Sequence, residues 1–133
     1  MSDKTENDRK AAGMKVRRAV LGDTHVDRAE ASKTEFTADF QDLITRYAWS
    51  EIWSRPDLDR KTRSCIVLTA LMALGHWEEF RMHVRAGITN GLTAEDIKEV
   101  ILQAAIYCGV PVANHAFKEA AEIIDSLDAV KPD

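Results

Sequence analysis

Residues 58–88 read LDRKTRSCIVLTALMALGHWEEFRMHVRAGI, and the patterning of this stretch decides the fold. Its charged opening (Asp59, Arg60, Lys61, Arg63) gives way to a nearly all-apolar run over residues 65–74. Such a run at helical spacing predicts a helix buried on most sides, by its own domain or by a partner chain. Gly75 ends or bends it, and a second helix follows from His76 to about Ile88. The apolar run is about ten residues, half of the roughly 20 that a membrane-spanning helix needs.

Outward from this hairpin the same period continues. Asn90-Gly91 marks a turn, and Thr93 is an N-cap with Glu95 and Asp96 in the first turn, where carboxylates suit the helix dipole. That helix carries Ile97, Val100, Ile101, Ala104, Ala105 and Tyr107 and stops at Gly109; Pro111 opens a last helix from Val112 to about Leu127. Upstream, Met14, Val16, Val20 and Leu21 predict a short helix ending near Gly22. Thr24 is read as the cap of another, from His25 to Ser32. A third is expected from Thr37 to Trp53, with Phe36, Phe40, Leu43, Ile44, Tyr47 and Ala48 on one side, before Pro56 interrupts. No alternating strand pattern survives. The expectation is an all-α protein of five to seven helices without a sheet.

A chain of 133 residues has room for one domain. It is expected over residues 13–130, behind a polar, flexible segment at 1–12. The formal charge of −4 argues against a nucleic-acid partner held by a basic surface. The opening MSDKTENDRK is too polar for a secretory signal, so a cytoplasmic location and no membrane partner are expected. Cys65 and Cys108 each sit in apolar helical stretches and form neither a CxxC pair nor a zinc pattern; both read as buried thiols.

His76, Glu79 and His83 fall at i, i+3 and i+7, along one face of a helix. At i, i+4, the Glu79 carboxylate can orient the His83 ring and favour its protonated form, which suits proton donation near neutral pH. The same spacing also occurs on ordinary solvent-facing helices, where it is worth a few tenths of a kcal/mol. A metal site is not expected, because Glu79-x-x-x-His83 is neither the di-iron nor the HExxH pattern.

Residues 53–124 carry the RPxLDRxxR entry at Arg55–Arg63, the ALG turn, the ExxxH helix, the NGxT turn and the GVPxANxAF link ending at Phe117. In that order and spacing they resemble the carboxymuconolactone decarboxylase family, part of the AhpD-like superfamily. The resemblance implies an all-helical, generally homo-oligomeric protein, with a ring of three dimers (a hexamer) common among relatives. It implies cofactor-free decarboxylation of 4-carboxymuconolactone to 3-oxoadipate enol-lactone, a step of protocatechuate breakdown. Thiol-peroxidase relatives place C-x-x-C-x-x-x-H on the equivalent helix. Here His76 and Glu79 replace the two sulfurs, His83 is retained, and Ser64 stands where those relatives carry a glutamate. Disulfide chemistry is thereby excluded at this site.

On this reading His83 is the proton donor and Glu79 its orienter, with His76 or Arg63 as electrostatic stabiliser. The implied partner is a small dicarboxylate lactone, a dianion that needs a cation. Arg55, Arg60 and Arg63 precede the apolar run, and Arg81 and Arg85 flank His83; Arg63 is preferred, since an antiparallel hairpin at Gly75 brings it back. Trp53 is a candidate pocket wall, and His115, beside Asn114, either lines the pocket or is structural. Trp49 and Trp77 read as core or interface residues. Two rivals remain: a thiol-peroxidase-related protein and a non-catalytic helical oligomer.

Overall fold

Capping chemistry sets where the helices begin and end. The structure, a computed structural model, describes residues 5–130, without the side chains of 129 and 130. It comprises α1 (Glu6–Leu21), α2 (Asp23–Ala31), α3 (Glu35–Ile44), a π-helical continuation (Thr45–Trp53), α4 (Arg60–Leu74), α5 (Trp77–Thr89), α6 (Ala94–Cys108) and α7 (Val110–Val130). No strand occurs among the described residues, so the protein is all-α.

Four helix starts differ from the sequence expectation. Helix α1 begins at Glu6, inside the stretch read as a flexible segment, because Thr5 and Asp8 form a reciprocal capping box (Asp8 N–H to Thr5 Oγ1, 3.0 Å). Thr24 caps nothing. Gly22, at φ +90°, ends α1 by donating to the Arg18 carbonyl and is itself the N-cap of α2. Helix α3 is capped by Thr34 through Thr37, and α7 starts at Val110, just before Pro111.

The chain divides into two compact units, one ending at Asp59 and the other beginning at Arg60. In the first, α1 lies along the π-helical segment so closely that a Cβ at Gly13 would overlap the Thr45 carbonyl. Arg17 is buried here between Glu30 (3.4 Å) and Gln41 (3.2 Å). Burial pulls its pKa down, opposed by the Glu30 charge. Trp49 and Trp53 are buried with ring centroids 5.3 Å apart. The apolar side of α3 and its continuation is largely exposed: Phe36 is 96% exposed, and Phe40, Leu43 and Tyr47 are also exposed. Periodicity identifies an apolar face but not what covers it.

The second unit is built on Leu68 and Met72 of α4, Phe80 and Val84 of α5, Ile97 and Ile101 of α6, and Ala116 and Ile123 of α7. Helix α4 buries the line Ser64, Leu68 and Met72, while Ile66, Ala70 and Leu74 are exposed. Burial on most sides is therefore not met within this chain. Gly75 (φ +74°) closes α4 with paired bonds, Gly75 N–H to Met72 O and His76 N–H to Leu71 O. The same arrangement recurs at Gly91 (φ +105°), where Leu92 N–H bonds back to Gly87 O. Only glycine adopts this left-handed backbone without strain. The first turn folds α5 back on α4, so that Asn90 Nδ2 donates to Ser64 Oγ at 3.3 Å. No described helix is long and apolar enough to cross a membrane.

Candidate active site

The α4–α5 hairpin carries the residues with usable chemistry. At about 100° per residue, Glu79, His83 and His76 fall within roughly a 60° sector of α5. Phe80 and Val84, further round the helix, fill the core. The stripe is graded: His76 and Glu79 are exposed, whereas His83 is only 8% exposed. It starts in solvent at the tight turn and ends about two turns later, at an imidazole on the edge of the apolar core.

His76 is the N-cap of α5 by position, but its side chain makes no capping bond there. Its backbone does the work, donating to Leu71 O at 2.9 Å and accepting from Phe80 N–H at 2.9 Å. Arg63 is half-buried on α4, next to Ser64. A Cβ at Gly87 would come 3.8 Å from Ser64 Cβ, so Arg63 stands level with Gly87. That is about one helical turn along the hairpin from His83.

His115 is brought elsewhere. Its ring stacks on Trp77 (centroids 4.1 Å apart, planes at 13°), and its Nε2 lies 3.2 Å from Glu119 Oε1. Trp77 in turn meets Phe80 edge-on at 5.4 Å. Glu119 also accepts from Arg81, whose Nη1 reaches Glu122 at 2.9 Å. By helical angle Trp77 and Arg81 lie more than about 100° round α5 from His83. The hydrogen bonds to Glu122 and Glu119 raise the Arg81 pKa. The bond from Arg81, helped by His115, holds the Glu119 carboxyl below its ordinary value. Arg81 is thus already matched to two carboxylates, which removes it as receiver of an anionic substrate.

Trp53 belongs to the first unit, buried beside Trp49. Arg55 lies 3.8 Å from Asp57 and is exposed, as is Arg85. Among the described residues no three His, Cys, Asp or Glu side chains gather as metal ligands. The sequence reading missed Glu119, although its i, i+4 spacing from His115 was visible. It also missed the Trp77–His115 stack, which joins residues far apart in the chain. What the hairpin offers chemically is a shielded imidazole for proton transfer and a carboxylate one turn before it, with Arg63 on the neighbouring helix.

Residues 38–122 match the model of the carboxymuconolactone decarboxylase family. The chain is 45% identical over 115 residues to a 4-carboxymuconolactone decarboxylase of Acinetobacter baylyi, covering 86% of each chain. It is 39% identical over 125 residues to a nitrosuccinic acid decarboxylase of Metarhizium robertsii, covering 91% of this chain and 87% of that one. A 4-carboxymuconolactone decarboxylase of Pseudomonas putida is 56% identical over 43 residues, which are 32% of this chain and 90% of the relative.

Proposed function

The chain belongs to the carboxymuconolactone decarboxylase family, and on that premise we propose that it converts 4-carboxymuconolactone to 3-oxoadipate enol-lactone and carbon dioxide. The observation that carries this reading is the 45% identity to a decarboxylase of that substrate over 86% of both chains. The substrates named for the two longest matches share a logic. Each is a dicarboxylic acid with a neighbouring group, a lactone carbonyl through a double bond or a nitro group, that can hold the electron pair left behind by carbon dioxide.

For the lactone, the bond from the ring carbon to its carboxylate breaks, and the electron pair moves through the ring double bond to the lactone carbonyl oxygen. The dienolate is then protonated at the carbon next to that carbonyl, which gives the enol-lactone. The substrate supplies its own electron sink, so the reaction calls on the protein for three things: a cationic seat, a hydrogen-bond donor to the growing oxyanion, and a proton. Arg63 seats the carboxylate that is retained. His83 delivers the proton from a position shielded from water, and Glu79 orients it from the preceding turn. His76, exposed at the mouth of the stripe, stabilises the oxyanion. The setting is a cytoplasmic homo-oligomer, a hexamer, serving aromatic catabolism.

The test generates 4-carboxymuconolactone in place from 3-carboxymuconate with a cycloisomerase, then measures carbon dioxide and enol-lactone with the chelator-treated protein. Release well above the uncatalysed rate is expected. A folded protein that gives none overturns the reading.

A further inference from the structure

Asn90, the C-cap of α5, stands on the face of that helix that carries the candidate chemistry. At about 100° per residue, Gly87 and Asn90 share a sector of roughly 80° with His76, Glu79 and His83. The line therefore runs past His83 to the end of the helix, and there it meets α4. Asn90 Nδ2 donates to Ser64 Oγ at 3.3 Å, and Ser64 is fully buried. Gly87, between His83 and Asn90, has no room for a side chain: a Cβ there would lie 2.9 Å from Leu92 Cδ1 and 3.8 Å from Ser64 Cβ.

The Asn90 amide is not needed to end α5. Backbone bonds do that, from Asn90 N–H to Ala86 O (2.9 Å), Gly91 N–H to Ile88 O (3.0 Å) and Leu92 N–H to Gly87 O (2.8 Å). Elsewhere α4 and α5 share apolar core, Leu68 and Met72 with Phe80 and Val84. Such burial is non-directional, and it holds two helices together without fixing an angle between their polar groups. A hydrogen bond weakens steeply as its angle is lost, so the Ser64–Asn90 bond fixes a register that the apolar contact leaves loose.

We propose that Ser64 and Asn90 are positioning residues for His83. Their bond sets how α4 stands against the His83 face of α5, and with it where the imidazole meets the substrate. Catalysis depends on such placement, because a misplacement of about 1 Å can cost on the order of 100-fold in rate. This inference rests on the proposed decarboxylation and adds to it two residues that act through His83.

The test uses the full chain with isotope-labelled histidine, as wild type, Ser64→Ala, Asn90→Ala and the double variant, compared at equal far-UV helical signal. Of the four histidines, His83 is the one whose ring signal in the NMR spectrum is lost in His83→Ala. That signal is expected to move in both single variants and no further in the double variant, while the His115 signal stays in place. On the lactone each single variant loses about tenfold in kcat with KM little changed, and the double variant loses no more than the worse single. Asn90 is half-buried, so Asn90→Ala carries the test alone if Ser64→Ala fails to fold. His83 signals that overlay wild type, a moved signal with wild-type kcat, or losses that multiply in the double variant overturn the positioning role and leave the decarboxylase reading standing. A wild type that releases no carbon dioxide overturns that reading, and the His83 signal then decides the role of the pair alone.

Discussion

On the two sides of α5 stand two histidines in opposite circumstances, His83 of α5 itself and His115 of α7. His83 is shielded at the edge of an apolar core, on the stripe that Glu79 and His76 continue into solvent. His115, brought in by α7, is exposed and already engaged, stacked on Trp77 and paired with Glu119, which also binds Arg81. A histidine held in that way braces α7 against α5. Shielding from bulk water makes each electrostatic interaction count for more, so the buried ring is the better placed to move a proton in a reaction.

The comparison breaks most sharply on activity. His83→Ala is expected to lower kcat by at least about 100-fold, within the usual range for a general acid, whereas His115→Ala stays within a few-fold of wild type. Steady-state rates on proteins of equal helical content decide it, and equal losses for the two variants erase the distinction. Next in size, Arg63→Ala raises KM by about tenfold or more with a smaller change in kcat, since a charged hydrogen bond is worth about 1.5–3 kcal/mol. An unchanged KM moves the carboxylate seat to another cation. Glu79→Gln, which keeps the shape and removes the charge, lowers kcat by a smaller factor of about ten and shifts the pH–rate profile. A profile that overlays wild type leaves Glu79 on an ordinary solvent-facing helix turn.

The brace makes its own, smaller prediction, in stability. The Glu119 carboxyl is held below its ordinary 4.5 in the folded protein, chiefly by Arg81. Its stabilising contribution is therefore present above that value and lost as pH falls through the lower folded pKa. Thermal midpoints of wild type and Glu119→Gln should differ at neutral pH and converge in acid, as the pH falls through the lowered folded-state value. A gap that stays constant into acid assigns the effect of the substitution to packing.

Much of this arrangement was legible from local signals. Gly75, Gly91 and the Thr93 cap each announce a chain reversal or a helix start through backbone geometry that few residues supply, and all three stand where expected. The Thr5-x-x-Asp8 box was equally visible, but the polar stretch around it offered no apolar period to attach it to. The π-helical segment had no sequence signature. The stripe at Phe36, Phe40, Leu43 and Tyr47 was recognised as one side of a helix, but its exposure was not, because periodicity says nothing about the partner surface. At the site, the alignment of His76, Glu79 and His83 followed from helical spacing alone, but the gradient of burial along it did not. The engagement of Arg81 by Glu119 and Glu122 was out of reach, since it depends on how α5 and α7 pack.

The proton transfer from His83 can be read directly from the product. Run in deuterium oxide, the decarboxylation places one deuteron on the carbon next to the lactone carbonyl and makes that carbon stereogenic. Wild type is expected to give a single configuration there, set by a donor fixed on one face of the ring. The residual reaction of His83→Ala should give both configurations equally, as protonation by solvent does. A His83→Ala protein that still delivers the wild-type configuration contradicts the account, because the proton then comes from another group.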